Sequence, residues 1–276
     1  MRRETSLLTR VLLYSTLLTF TFMTLYPVFW LIVSSFKTTQ EFQVNRLGLP
    51  RRWTGQNYPL AWKIGGFGHL FTNSIIYTVG STAAVVLLSL SAGFAFAKIR
   101  SRATPFLHGS FVIGILLSVE AVLIPLFLMA NAAGLTDTRL GILLPYIGMG
   151  MPKGIYLCTE YIKSIPDSLV ESARIDGASY PRILASIIAP MAKPVATTLA
   201  ILNVTGVWNE FMLVNVLTSK TSLKSLPVGI LKFSGALSSD YGKQFAALVV
   251  GMLPMLIFYT IFRNQITRGV SAGAVK

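Results

Sequence analysis

Charge is scarce in this sequence: Asp, Glu, Lys and Arg together make up 12% of 276 residues, while 53% are hydrophobic. A soluble globule cannot cover its surface on that supply, so most of the chain is read as solvated by lipid. Strands with period-two alternation are also lacking. That excludes a transmembrane barrel and leaves helices, the other way to satisfy every backbone group in hydrocarbon. Cys158 is the sole cysteine, so no intrachain disulfide can form. The two histidines, His69 and His108, stand apart with no carboxylate cluster beside them, and no metal site is expected. Without a His, Cys or carboxylate constellation at one face, no catalytic residues are expected either. A Gly-x-x-x-x-Gly-Lys-Ser/Thr phosphate loop is missing, and Gly66-x-Gly68 follows no strand and is no dinucleotide loop.

What the chain has instead is six long runs almost free of charge, residues 11–35, 71–97, 104–130, 140–158, 195–217 and 245–262. Each approaches the ~20 residues that a helix needs to cross ~30 Å of hydrocarbon. The fold class they imply is an all-α integral membrane bundle of six spans, one transmembrane domain over residues 1–276. The fourth run, interrupted by Pro145, Gly148, Gly150 and Pro152 and carrying Lys153, is expected to be short and broken. The formal charge of +14 follows from topology rather than nucleic acid, since no compact soluble region carries it. Arg2, Arg3 and Arg10 precede the first run, and Lys98, Arg100 and Arg102 crowd the link after the second. Both sites are therefore assigned to the cytoplasm, and an even number of spans returns the C-terminus there.

The two long outer loops, 36–70 and 218–244, are also basic. The first holds Trp53, Tyr58 and Trp62, rings suited to the membrane interface, and is expected to return flexibly through Gly65, Gly66 and Gly68. In the second run, Ser89, Gly93 and Ala97 at four-residue spacing form a small-residue stripe for close helix packing, within this chain or against another.

Between the fourth and fifth runs, residues 160–193 interrupt this apolar pattern with Glu171, Arg174, Asp176 and Arg182. Ser164 or Asp167 can cap a short helix with Pro166 in its first turn, placing Ile165, Leu169 and Ala173 on one face. Glu171 and Arg174 are spaced to pair at i, i+3. Asp176-Gly177 stops that helix, because glycine accepts a left-handed C-cap. Ser179 can then cap a second helix with the apolar stripe Tyr180, Ile183, Leu184, Ile187, Ile188 and Met191, which ends at Pro190 and Pro194. The pattern is a helix-turn-helix elbow on the cytoplasmic face, its stripe packed on the bundle and its charged tip outward. An amphipathic connector and a lever for a cytosolic partner remain equally open on pattern alone.

Glu171-Ser172-Ala173, Asp176-Gly177-Ala178, Ile187 and Ala189-Pro190 resemble the EAA motif of ABC importer permease subunits, with serine for the first alanine. Further pieces in order are Ile124-Pro125-Leu126, Gly134-Leu135-Thr136-Asp137-Thr138, Ile165-Pro166-Asp167, Trp208-Asn209-Glu210-Phe211, Leu226-Pro227-Val228-Gly229 and the tail from Gly269 to Lys276. Together they resemble the maltose-type, carbohydrate-uptake permease that pairs with a second similar permease, a MetI-like fold of type I importers. The resemblance implies that Glu171, Ser172, Ala173, Asp176, Gly177 and Ala178 form a coupling tip for separate ATPase subunits. This chain would bind no cofactor; ATP and Mg would sit on those partners. Expected partners are the second permease, two ATP-binding cassette subunits, an extracytoplasmic sugar-binding protein and membrane lipid, with no nucleic acid. The location implied is a bacterial or archaeal cytoplasmic membrane.

Intramembrane charge is expensive, about 3 kcal/mol at the bilayer centre, and marks function by default. Glu120 is expected deep in the third span, and Glu210 past the middle of the fifth at similar depth. With Asn203, Thr205, Trp208 and Asn209 they are candidates for a sugar path, or for interhelix hydrogen bonds that only hold the bundle. The outer loop 218–244 offers Lys220, Lys224, Lys232, Ser234, Gly235 and Tyr241 to the binding protein. A glycerol-phosphate cargo is an alternative within the family. An ion-coupled secondary transporter is a weaker one, because no repeat relates the two halves.

Overall fold

The computed structural model describes residues 7–99, 101–233 and 240–274, with the side chains of residues 232 and 266–274 outside the description. Arg2, Arg3, Arg100, Ser234, Gly235 and Lys276, named above, lie outside it. The helices are α1 Leu7–Ser35, α2 Thr39–Val44, α3 Asn57–Gly65, α4 Phe67–Lys98, α5 Thr104–Gly114, α6 Val119–Ala132 and α7 Arg139–Lys163. There follow α8 Asp167–Ile175, α9 Tyr180–Ile183, a π turn Leu184–Ile188, α10 Ala189–Met191, α11 Lys193–Asn209, α12 Met212–Leu217, α13 Leu226–Ile230 and α14 Tyr241–Ala274. No strand occurs among the described residues.

Among the described residues, three helices are long and apolar enough to cross a membrane: α1, α4 and the Tyr241–Gln265 part of α14. Two helix pairs pass the same test only when each is taken as one span, and both are bent sharply at a break, α5 with α6 by 106° and the stretch Tyr180–Met191 with α11 by 77°. The third run is thus not one helix. The fourth departs in the other direction: α7 is a continuous 25-residue helix that takes in both Pro145 and Pro152. The fifth run breaks at Glu210, where α11 ends and α12 begins two residues later.

The chain divides into two compact units. The first comprises Met1–Phe67 with Ile230–Leu253 and the second Gly68–Gly229 with Pro254–Lys276. In the first, Trp30, Phe42, Tyr241 and Phe245 form an aromatic cluster, with Phe42 and Phe245 4.8 Å apart edge to face. The first part of the loop 36–70 is tied down. Lys37 is fully buried and donates to the carbonyls of Asn45 at 2.8 Å and Gly48 at 2.6 Å, while Asn57 Nδ2 donates to those of Ser35 and Lys37. Desolvation lowers the Lys37 pKa from its ordinary value, and Glu41 partly opposes that.

In the second unit, one buried cluster joins Val85, Leu90 and Phe94 of α4, Cys158 and Ile162 of α7, Val170 and Ala173 of α8, Ile183 and Ile188, and Val195 and Leu199 of α11. The small stripe on α4 serves this intrachain packing. A Cβ on Gly93 would stand 2.7 Å from Cys158 Cβ, and one on Gly154 would stand 2.2 Å from Ser89 Oγ, so the two helices touch backbone to backbone.

Candidate functional site

Two places in the second unit carry the candidate residues. The first is the elbow. Its opening helix is capped by Pro166, not by a side chain; Ser164 Oγ instead donates back to the Tyr161 carbonyl, and Asp167 is the first helical residue. Proline serves because the first N–H groups need no intrahelical partner. Val170 and Ala173 are the buried pair on α8, while Leu169, expected on that face, is exposed. The α8 helix ends in a Schellman motif: Ala178 N donates to Ala173 O at 2.9 Å and Gly177 N to Arg174 O at 3.0 Å. Gly177 takes φ +78°, the conformation that requires glycine here.

The expected Glu171–Arg174 pair does not form. Arg174 lies 4.4 Å over the Tyr180 ring, a cation–π contact that holds the guanidinium across the turn. Ser179 occupies the cap position of α9 without donating or accepting a capping bond. The expected stripe is re-spaced by the π turn: the fully buried residues are Ile183 and Ile188, five apart, because an i→i+5 turn widens the repeat. Glu171, Ser172, Asp176 and Gly177 point to solvent, Ala178 is half-buried and Ala173 faces the core. Ile175, which the pattern did not single out, is 87% exposed at the tip, an apolar knob with no partner inside this unit.

The second place is a cavity of about 210 Å³ lined by Val119, Tyr146, Gly150, Lys153, Asn203, Gly206 and Glu210 with apolar neighbours. Of the six path candidates it gathers Asn203 and Glu210. Glu210 is extended between α11 and α12. Its Oε2 accepts from Tyr146 OH at 2.6 Å, and its Oε1 accepts from Leu213 N at 2.8 Å, capping α12. Asn203 Nδ2 donates to Thr82 Oγ1 at 2.9 Å. Thr205 Oγ1 bonds back to the Ile201 carbonyl and Asn209 Nδ2 to that of Thr205, while Trp208 is buried against Phe71; none of the three lines the cavity.

Glu120 does not sit inside one long helix. It lies exposed in the first turn of α6, just after the break, where a carboxylate is favoured by the helix N-terminus. Sequence reasoning missed Tyr146, whose only signal was a hydroxyl in an apolar run. Lys153 was noticed as a helix breaker and is instead the cavity's only ammonium among the described residues.

The motif Gly134 to Thr138 builds a clamp. Gly134 and Asp137 have φ +66° and +57°, and Asp137 Oδ1 accepts from Thr218 Oγ1 and from the amides of Ser219 and Lys220. Those hydrogen bonds, from Lys220 N above all, hold the Asp137 carboxyl below the usual range. Leu226 N donates to Ser74 Oγ, so the Leu226 to Gly229 motif packs against α4.

Long and bent apolar helices, a largely apolar cavity with a few polar groups in its wall, and an exposed elbow are the arrangement of a membrane protein. The chain belongs to the family of binding-protein-dependent transport system inner membrane components, whose model matches residues 88–271. It is 35% identical, over 91% of its length and 92% of the relative's, to the multiple sugar-binding transport system permease protein MsmG of Streptococcus mutans. It is 31% identical, over 91% and 83%, to the diacetylchitobiose uptake system permease protein NgcG of Streptomyces coelicolor. Its fold matches a chain in the crystal structure of a bacterial ABC transporter involved in the import of the acidic polysaccharide alginate, with TM-score 0.82, 26% identity and coverage of 94% of this chain and 98% of that one. The protein is therefore a multi-pass inner membrane subunit of the ABC permease type.

Proposed function

We propose that this chain is the membrane subunit of an ATP-driven, binding-protein-dependent importer for a di- or oligosaccharide, crossing the membrane six times with both termini in the cytoplasm. It forms half of the translocation path with a second permease and takes its drive from two separate ATPase subunits, which hold the ATP and Mg. The observation that carries this reading is the elbow: its inner face is part of the same buried cluster as α4, α7 and α11, while Glu171, Asp176, Gly177 and the apolar Ile175 are presented outward. An exposed isoleucine beside two carboxylates suits a docking tip.

The cavity supplies the path. Glu210 is spoken for by Tyr146 and Leu213 N, which leaves Lys153 and the Asn203 carbonyl oxygen as the groups offered to a sugar. The basic loop with Lys220 and Lys224, held by the Asp137 clamp, faces the sugar-binding protein.

A mild-detergent pull-down from the host tests the reading, comparing wild type with Gly177→Trp. An ATPase and a second permease should accompany the wild type, and the ATPase should be lost from the variant. Wild type recovered alone in several detergents would overturn the proposal.

A further inference from the structure

Both arms of the elbow grip the end of α4. Lys98, the last residue of α4, has a side chain only 3% exposed; its Nζ donates to the Ile165 carbonyl and, at 2.5 Å, to Asp167 Oδ1 at the start of α8. One turn earlier, Phe94 packs edge to face on Tyr180, the first residue of the second arm, with centroids 6.2 Å apart. The tip, Asp176-Gly177, falls between these two attachments in the chain. Arg174, seated on Tyr180, ties the first arm to the second. Moving the elbow as a body relative to α4 therefore breaks charge-assisted hydrogen bonds made by a buried ammonium.

The other end of the connection is also on α4. This helix has 32 residues and no proline. At 1.5 Å per residue, Thr82 lies about 24 Å from Lys98 along one unbroken rod. Thr82 is the residue that accepts from Asn203 in the cavity wall. Gly93, in direct backbone contact with α7, keeps the rod from bending away.

We infer that Lys98 is a positioning residue for transport: it fastens α4 to the elbow, so that force on the docking tip reaches Asn203 through α4 as a strut. Lysine suits the task because its ammonium can bond a main-chain carbonyl and a carboxylate at once, and it also sits at the negative end of its own helix. The inference rests on the coupling role proposed above for the elbow.

The test uses the complex purified with its ATPase and reconstituted in liposomes. Gly206 lines the cavity and has open space where a Cβ would go, so Gly206→Cys serves as a reporter; Cys158 is buried and stays silent. The rate of labelling by a water-soluble maleimide is compared without nucleotide and with ATP trapped by vanadate, alongside uptake per ATP hydrolysed.

With Lys98 present, labelling should change several-fold between the two states. In Lys98→Met that difference should collapse and uptake per ATP should fall about tenfold, the scale of an ordinary coupling between sites. Lys98→Arg should restore most of both. A purely structural lysine would lower yield and leave the labelling difference intact, and that result would overturn the inference. Should Lys98→Met fail to assemble, Asp167→Ala removes the exposed partner of Lys98 and should reduce the labelling difference; no reduction overturns the inference equally. Labelling that ignores nucleotide even with Lys98 in place would instead refute the coupling role itself.

Discussion

At Asp176-Gly177 a helix is stopped by its own backbone: two amides turn back to the carbonyls of Ala173 and Arg174, and glycine supplies the one left-handed residue. At Glu210-Phe211 a helix is stopped and another started by a side chain, whose two carboxylate oxygens meet the amide of Leu213 and the hydroxyl of Tyr146. The first break faces water and leaves the Glu171 and Asp176 carboxylates exposed. The second lies among apolar helices, where an unmade hydrogen bond is costly, and so uses every lone pair it can reach. A turn at the surface can leave its carboxylates to solvent, whereas a kink inside the bundle must satisfy itself.

Four experiments would break or sharpen that comparison. The largest effect belongs to the tip. Gly177→Trp should abolish uptake while the bundle still purifies, whereas Gly177→Ala should cost only about 1–2 kcal/mol of local strain and leave part of the uptake. A variant that transports normally with tryptophan there would remove the distinction.

Next comes the kink. Glu210→Ala leaves the Tyr146 hydroxyl and the Leu213 amide without their partner, at about 1–3 kcal/mol for each group that stays buried, and should lower the melting temperature in detergent by several degrees. Glu210→Gln keeps an acceptor for the amide and should lose less. If both variants melt like wild type, water has access to the kink.

Third is Lys153→Met, which leaves both breaks intact and removes the cavity's ammonium. Cargo-stimulated ATP hydrolysis should need several-fold more sugar for half its maximum, about 1 kcal/mol of lost contact. An unchanged requirement would take Lys153 out of the path.

The smallest effect is that of pH on the clamp. The Asp137 carboxyl is held low by its hydrogen bonds, so its stabilising contribution is complete above the ordinary carboxylate value of about 3.9 and is lost as pH falls through its own lower value. Protection of the amides of residues 219–220, relative to their intrinsic exchange rates, should therefore hold from neutral pH down to that range and fall below it, and Asp137→Ala should lower it throughout the higher range.

Much of the elbow was legible before any coordinates. Asp-Gly marks a stop wherever helix periodicity ends, and Pro190 and Pro194 foretell the bend of 77° because proline cannot continue the hydrogen-bond ladder. The same local reading misjudged α7, whose Pro145 and Pro152 looked like breaks and are carried inside a continuous helix. Packing supplied the difference: α7 touches α4 backbone to backbone, and neighbours of that kind hold a helix straight despite a missing amide. The run around Glu120 was read as one helix, whereas the chain turns by 106° there and leaves the residue at a helix start.

The sequence by itself determined that this chain lives in lipid, that it is helical, where its elbow lies and where that elbow turns. Those are consequences of composition, of a 3.6-residue period and of glycine's freedom, all of which act within a few residues. Only the tertiary structure decided that Tyr146 and Glu210, 64 residues apart, share one hydrogen bond, that Asn203 rather than Trp208 lines the cavity, and that Lys98 holds the elbow. Partners so distant in the chain have no spacing rule. Each is chosen by which polar group the packed helices bring within 3 Å of another that would otherwise be left unpaired.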